Sequence, residues 1–97
     1  MGKAVSRIGD LDLPHCSGMV RATGSSDVFT NSRPTVRKLD INTVHLKPFI
    51  PPCVPHVGPV KTGSKKVFVN GRGIGRLGDG LIDCTKIAQG STNVFAG

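Results

Sequence analysis

The sequence predicts an all-β fold, a pseudo-three-fold arrangement of short hairpins with no significant helix. Three observations predict it. The stretch 63–79, GSKKVFVNGRGIGRLGD, lies over 24–40, GSSDVFTNSRPTVRKLD, without a gap. A third copy is split between the ends of the chain, with 90–97 giving its first half and Val5-Ser6-Arg7-Ile8-Gly9-Asp10 its second. Gly 13 and Pro 7 make up a fifth of the 97 residues, too much punctuation for long helices. No window carries apolar residues at helical spacing behind a convincing cap. An internal repeat dictates architecture more strongly than any local signal.

Taken in order, short β-branched and aromatic runs bounded by Gly, Asn, Asp and Pro predict strands at 5–8, 19–23, 27–30, 35–38, 60–61, 66–70, 81–82, 86–88 and 93–95. Asn70-Gly71 after Val67-Phe68-Val69 is a two-residue hairpin signal, while its mate Asn31-Ser32 has the Asn without the Gly. For the split copy to be whole, Phe95-Ala96-Gly97 must lie beside Ala4-Val5, so the termini are expected to meet. The Pro-rich insertion 50–59 has no counterpart in the other copies. Four prolines in its ten residues predict an irregular, stiff segment rather than a strand. The whole chain, 1–97, reads as one small domain.

A domain of this size with no Trp and no Tyr buries a thin core, to which the repeated Phe29, Phe68 and Phe95 are expected to contribute, and such domains usually need a staple. Cys16, Cys53 and Cys84 are three, so they cannot all pair within the chain, and a metal is favoured over a disulfide framework. Thirteen basic against six acidic residues give a formal charge of +7, which suggests an anionic partner. The charges are scattered apart from Lys65-Lys66. No apolar run approaches the ~20 residues of a membrane span, and the N-terminus lacks a signal-peptide core. The expected product is a soluble protein made in a cytoplasm.

Each repeat ends in an Asp, and five residues beyond it stands a metal-ligand type: Asp10 leads to His15, Asp40 to His45 and Asp79 to Cys84. Three-fold placement would bring these to one point, where His56 from the insertion can supply a fourth. The set His15, His45, His56 and Cys84 has the number and softness that tetrahedral Zn²⁺ requires. Cys53, separated from His56 by the two residues Val54 and Pro55, and Cys16, next to His15, are rival ligands. Four protein ligands close the coordination sphere and point to a structural ion, not a catalytic one.

Gly73-Ile74-Gly75-Arg76-Leu77-Gly78 is formally a GxGxxG, but no helix follows to point its N-terminus at a phosphate. These glycines are expected to be turn positions of the repeat. No nucleophile–base–acid arrangement stands out, and no enzyme is expected.

The segments 28–40 and 67–79 resemble the Pro-Ala-Ala-Arg (PAAR) repeat signature, a V-x-x-N-G turn leading to P-A-A-R and then G-D, and 4–10 gives a partial third match. Gly73-Ile74-Gly75-Arg76 stands at the naming tetrapeptide, and Leu39 replaces the usual glycine before Asp40. The resemblance implies a conical β protein that caps the trimeric β-helical spike of a contractile injection machine, one copy per trimer, and sharpens it for piercing a membrane. It also implies a zinc near the point held by three histidines and one cysteine, similar to His15, His45, His56 and Cys84. A chain with no added effector domain suits a phage tail baseplate in a virion, made in the host cytoplasm. The alternative is the tip of a bacterial type VI secretion spike, exported from the bacterial cytoplasm. A reading from another class is a small basic zinc protein that binds nucleic acid, which would need a focused Lys/Arg face and stacking aromatics.

Overall fold

The computed structural model describes residues 2–14, 18–47, 54–82 and 84–97. Its ladders are eight short strands: β1 (Lys3–Ala4), β2 (Phe29–Thr30), β3 (Arg33–Pro34), β4 (His45–Lys47), β5 (Val54–His56), β6 (Phe68–Val69), β7 (Arg72–Gly73) and β8 (Phe95–Ala96). They pair as four antiparallel two-stranded sheets, β1–β8, β2–β3, β4–β5 and β6–β7. No helix occurs among the described residues, and none is long and apolar enough to cross a membrane. The body measures 39 × 24 × 23 Å along its principal axes.

Three of the sheets are copies of one hairpin. Phe29 pairs with Pro34 and Thr30 with Arg33; Phe68 pairs with Gly73 and Val69 with Arg72. In the third, Phe95 pairs with Ala4 and Ala96 with Lys3, so the two ends of the chain form a hairpin cut at its turn. The termini meet as the split repeat requires. A serine opens each copy for one reason. The hydroxyl oxygen of Ser25 accepts the N–H groups of Asp27 and Val28, Ser64 accepts those of Lys66 and Val67, and Ser91 those of Asn93 and Val94. Each serine thereby satisfies backbone donors at the entry to a strand too short to supply partners of its own.

The turn that lacks glycine has the same shape as the one that has it. Asn31 and Ser32 adopt φ of 53° and 65°, against 54° and 74° for Asn70 and Gly71. Positive φ at both central residues is the two-residue turn that matches the twist of a hairpin, and Asn tolerates it best among residues with a side chain.

Beyond the hairpins the chain is held by single bridges rather than the two-to-five-residue strands the sequence suggests. Arg7 bridges Thr35, Arg37 bridges Ile74, and Arg76 bridges Val5. Just inside them, Val36 N–H donates to Ser6 C=O at 3.0 Å, Ser6 N–H to Gly75 C=O at 2.9 Å, and Gly75 N–H to Val36 C=O at 2.8 Å. Each repeat gives one bond to the next, and the third bond returns to the first repeat. Three backbones crowded together in this way explain Gly73 and Gly75, which are not turn positions. A Cβ on Gly73 would sit 2.4 Å from the Ser64 carbonyl oxygen, and one on Gly75 would sit 2.8 Å from Val36 Cγ1.

The apolar core is thin and in two parts. Val5, Val69, Ile74 and Ala96 form one cluster, and Val36, Val60, Leu81 and Ile87 the other, with Cys84 packed against the second. The repeated phenylalanines belong to neither. Phe29, Phe68 and Phe95 are 57, 57 and 59% exposed, because the hairpin positions they occupy face away from the crowded backbones. The expectation that they build the core is corrected.

The insertion is also less irregular than its prolines suggest. Val54–His56 pairs with His45–Lys47, two strands absent from the sequence-based assignment, and Pro55 stands opposite Leu46. In a two-stranded sheet both strands are edges, so a proline can direct its missing N–H outward without breaking the ladder. Residues 50–53 of the insertion lie outside the described residues.

A candidate metal centre and its buried polar support

The repeat aspartates are anchors rather than ligands. Asp10 Oδ2 accepts the Arg7 backbone N–H at 2.8 Å and Arg7 Nε at 3.0 Å, while its Oδ1 accepts Arg7 Nη2 at 2.9 Å. Arg37 with Asp40 and Arg76 with Asp79 repeat the same three bonds. A carboxylate gripped by both arms of a guanidinium and by a backbone donor fixes the tight turn Arg-x-x-Asp. Hydrogen bonds to the carboxylates raise the Arg7 and Arg37 guanidinium pKa values against the lowering effect of burial. Burial raises the Asp40 carboxyl, but the bonds from Arg37 and Thr23 outweigh it and hold that pKa below the ordinary range. A second arginine from the neighbouring copy covers two of these turns. Arg33 donates to Ile8 C=O and to Asp10, and Arg72 donates to Lys38 C=O and to Asp40.

From each Asp the chain runs toward a proposed ligand. His45 opens β4 and His56 closes β5, and the register makes them Cα partners. The two residues thus stand at one level of the β4–β5 ladder. Cys84 lies just past Leu81, held by its N–H to Leu81 C=O at 3.3 Å. Its Cβ and Sγ lie 3.0 Å from where a Cβ would stand on Gly58, two residues after His56. Thus the segment leaving His56 is pressed against Cys84. His15, and with it the rivals Cys16 and Cys53, lies outside the described residues. Among the described residues no group of three or more His, Cys, Asp or Glu side chains forms a metal cluster.

Sequence reasoning missed what holds this region in place. Arg21 is fully buried, and its equivalents in the other copies are apolar. Arg21 N–H donates to Asp10 C=O, as Val60 does to Asp40 and Ile87 to Asp79; Gly9, Leu39 and Gly78 donate back to the same three residues. Arg21 Nη2 donates to Gly58 C=O at 2.7 Å, and Nε lies 3.4 Å from Asp12 Oδ2. Asn42 completes the cluster, donating to Asp12 Oδ2 at 2.9 Å and accepting Gly58 N–H at 2.6 Å. Both backbone groups of Gly58 are therefore captured by buried side chains. Arg21 Nη1 finds no hydrogen-bond partner among the described residues. Burial lowers the Arg21 pKa, and the nearby carboxylates of Asp12 and Asp40 partly offset that. The signal was present in the sequence: carrying the repeat alignment past Asp10, Asp40 and Asp79 sets Asp12 and Asn42 against Leu81, two polar residues where one copy has an apolar one.

The donor set suits the expected ion. Two imidazole-bearing positions opposed in register and a thiol against the outgoing strand match the nitrogen and sulfur ligands that zinc takes. Among comparisons with known proteins, the family model for the PAAR motif matches residues 53–97. That stretch contains β5, the second full repeat, Cys84 and the first half of the split copy. The motif is that of spike-tip proteins of contractile injection systems. No curated protein sequence matches the chain.

Proposed function

On the premise that this chain carries the PAAR motif, we propose that it is a non-enzymatic, conical spike tip with pseudo-three-fold symmetry, seated on a trimeric β-helical spike at one copy per trimer. The observation that carries this reading is the display of three exposed phenylalanines, each at the same position of a repeat and each followed by the same hairpin register. Exposed valines at 28, 67 and 94 precede them. An apolar group shown three times by one chain suits a platform that shows its complement three times, and isolated aromatic anchors of this kind concentrate binding energy. The cyclic hydrogen bonds among Ser6, Val36 and Gly75 support the same symmetry.

At the other functional region, His15, His45, His56 and Cys84 would hold one structural Zn²⁺ per chain. When bound, the ion supplies a closed set of coordinate bonds that ties the β4–β5 hairpin to the Cys84 loop. The side chains of Arg21 and Asn42 hold the Gly58 end of that hairpin in place, and the Arg–Asp turns fix where each ligand-bearing segment starts. Force delivered along the spike would then meet a cross-linked point, which suits opening an envelope. A phage tail baseplate is the favoured setting, with a type VI secretion spike as the other.

Mixing the protein with a trimeric β-helical spike and measuring the mass of the complex tests the proposal. One copy per trimer is expected, and a triple variant Phe29→Ser, Phe68→Ser, Phe95→Ser should bind at least a hundredfold more weakly while keeping its fold. A chain that ignores every such spike, or a variant that binds as the parent does, would remove the reading.

A further inference from the structure

Among the positions at which the three hairpins differ, one opens a cavity. Arg33 and Arg72 each follow a hairpin turn, pairing with Thr30 and Val69. The residue in this place in the cut hairpin is Lys3, paired with Ala96. Arg33 and Arg72 lie over the next Arg-x-x-Asp turn and bond a carbonyl and a carboxylate there. Lys3 forms no such bond with the described residues and no ion pair with them. The turn it should cover, Arg76 to Asp79, is left open. A Cβ on Gly9 would meet Arg33 Nη2 at 3.0 Å, whereas one on Gly78 would meet nothing within 4 Å. The residue after the Asp enlarges the gap: Leu11 and Ile41 in two copies, Gly80 in the third. The result is a cavity of about 440 Å³ bordered by Lys3, Arg76, Gly78, Asp79 and Gly80.

The same sector carries Lys65-Lys66, the one pair of adjacent lysines in the chain. Lys65 and Lys66 border the cavity and form no ion pair with the described residues. Their repeat mates are Ser26-Asp27 and Thr92-Asn93, none of them cationic. The border therefore has Lys3, Lys65, Lys66 and Arg76 against Asp79, which is 3% exposed and already bonded by Arg76 through both oxygens, and Gly97, whose main-chain oxygen accepts the Ser64 hydroxyl. A cationic guest would meet three lysines, and an anionic guest would neutralise them. Size, charge and the ammonium donors suit a compact phosphoryl group, since Lys binds phosphate as a point charge with three donors.

We propose that this cavity, present in one of the three sectors, binds a phosphate group, either as the free ion or as the monoester headgroup of a lipid. The site does not depend on the metal or on the spike contact.

The discriminating variant is Lys3→Arg, which keeps the charge but restores the residue that fills the other two sectors. Titration with inorganic phosphate, followed by amide NMR, should shift Lys3, Gly78 and Gly80 in the parent. Affinity should fall at least tenfold in Lys3→Arg and in Lys65→Ala/Lys66→Ala, with amide signals elsewhere unchanged. In parallel, vesicles of phosphatidic acid in phosphatidylcholine are compared with phosphatidylcholine alone. Co-sedimentation that requires phosphatidic acid and is lost in Lys3→Arg assigns the headgroup as ligand, and phosphate binding without sedimentation assigns the free ion. Phosphate shifts that persist in Lys3→Arg would show general attraction to a basic face and overturn the cavity. No response to phosphate or to phosphatidic acid, or binding to an oligonucleotide alone, would overturn the proposal as well.

Discussion

Two regions of this small protein solve opposite problems. The hairpin region says everything three times: one register, one serine, one Arg-x-x-Asp turn, closed by backbone bonds that pass from copy to copy. The insertion region says things once: one β4–β5 hairpin, one buried arginine, one glycine held by both of its backbone groups. The repeated region needs no chemistry beyond backbone bonding and charge pairing, and it yields a surface with matched features. The single-copy region breaks the repetition with buried polar residues, which cost desolvation unless each has its partners. The polar cluster stands where the unmatched insertion joins the body, and that coincidence gives it a purpose: without it, nothing repeated is available to hold Gly58.

Metal removal gives the largest contrast between the two regions. A structural zinc contributes roughly 10–16 kcal/mol of apparent binding energy in zinc-finger peptides at neutral pH. Stripping the proposed ion with a chelator should abolish hydrogen-exchange protection at the β4–β5 amides and leave the hairpin amides of 29–34 and 68–73 protected. Elemental analysis should give near one zinc per chain in the parent and none in His45→Ala or Cys84→Ala. Zinc retained in both variants would transfer the role to Cys16 and Cys53.

The buried arginine comes next. Arg21→Ala removes the guanidinium that lies 3.4 Å from the carboxylate of Asp12, itself 2% exposed, and breaking a buried pair costs about 3–5 kcal/mol. Denaturant unfolding with a secondary-structure probe reads this loss. The comparison with the apolar copies sharpens it. A triple variant Asp12→Leu, Arg21→Val, Asn42→Leu, which moves this sector toward its mates Leu81, Val60 and Ile87, should unfold within about 1–2 kcal/mol of the parent, since well-packed apolar residues can replace a buried ion pair. It should nevertheless bind zinc more weakly, because Gly58 is released. A triple variant as unstable as Arg21→Ala would mean that the cluster is needed for the fold itself.

The hairpin region was legible in the sequence because its signals are local and repeated. The spacing from Gly24 to Asp40 recurs from Gly63 to Asp79, and the split copy places β1 against β8. What escaped notice depended on contacts between copies. Gly73 and Gly75 resemble turn residues until neighbouring backbones come within van der Waals distance of them. Phe29, Phe68 and Phe95 resemble core residues because hydrophobicity along the chain does not say which side of a two-residue strand faces solvent. The β4–β5 pairing was hidden by Pro55, whose usual veto fails at an edge. Of the proposed ligands, the His45–His56 opposition follows from that pairing and could not be read from spacing alone.

The smallest expected effect tests the repetition at a single backbone angle. Position 39 has φ of 73°, and its mates Gly9 and Gly78 have 90° and 89°. The hydrogen bonds of the turn, Leu39 N–H to Val60 C=O and Asp40 N–H to Arg37 C=O, impose this angle whichever side chain is present. A left-handed conformation costs a residue with a Cβ about 1–2 kcal/mol relative to glycine, and Leu39 is half exposed, so little burial offsets that cost. Leu39→Gly should therefore stabilise the protein by about 1 kcal/mol, against the usual direction of a glycine substitution, and raise Tm by roughly 4–8 °C for a domain of this size. Gly78→Leu, the same exchange reversed, should lower Tm by a similar amount if the two turns are equivalent. A loss of stability in Leu39→Gly would mean that the side chain of Leu39 contributes more than its exposure suggests, and that the turns differ in more than sequence.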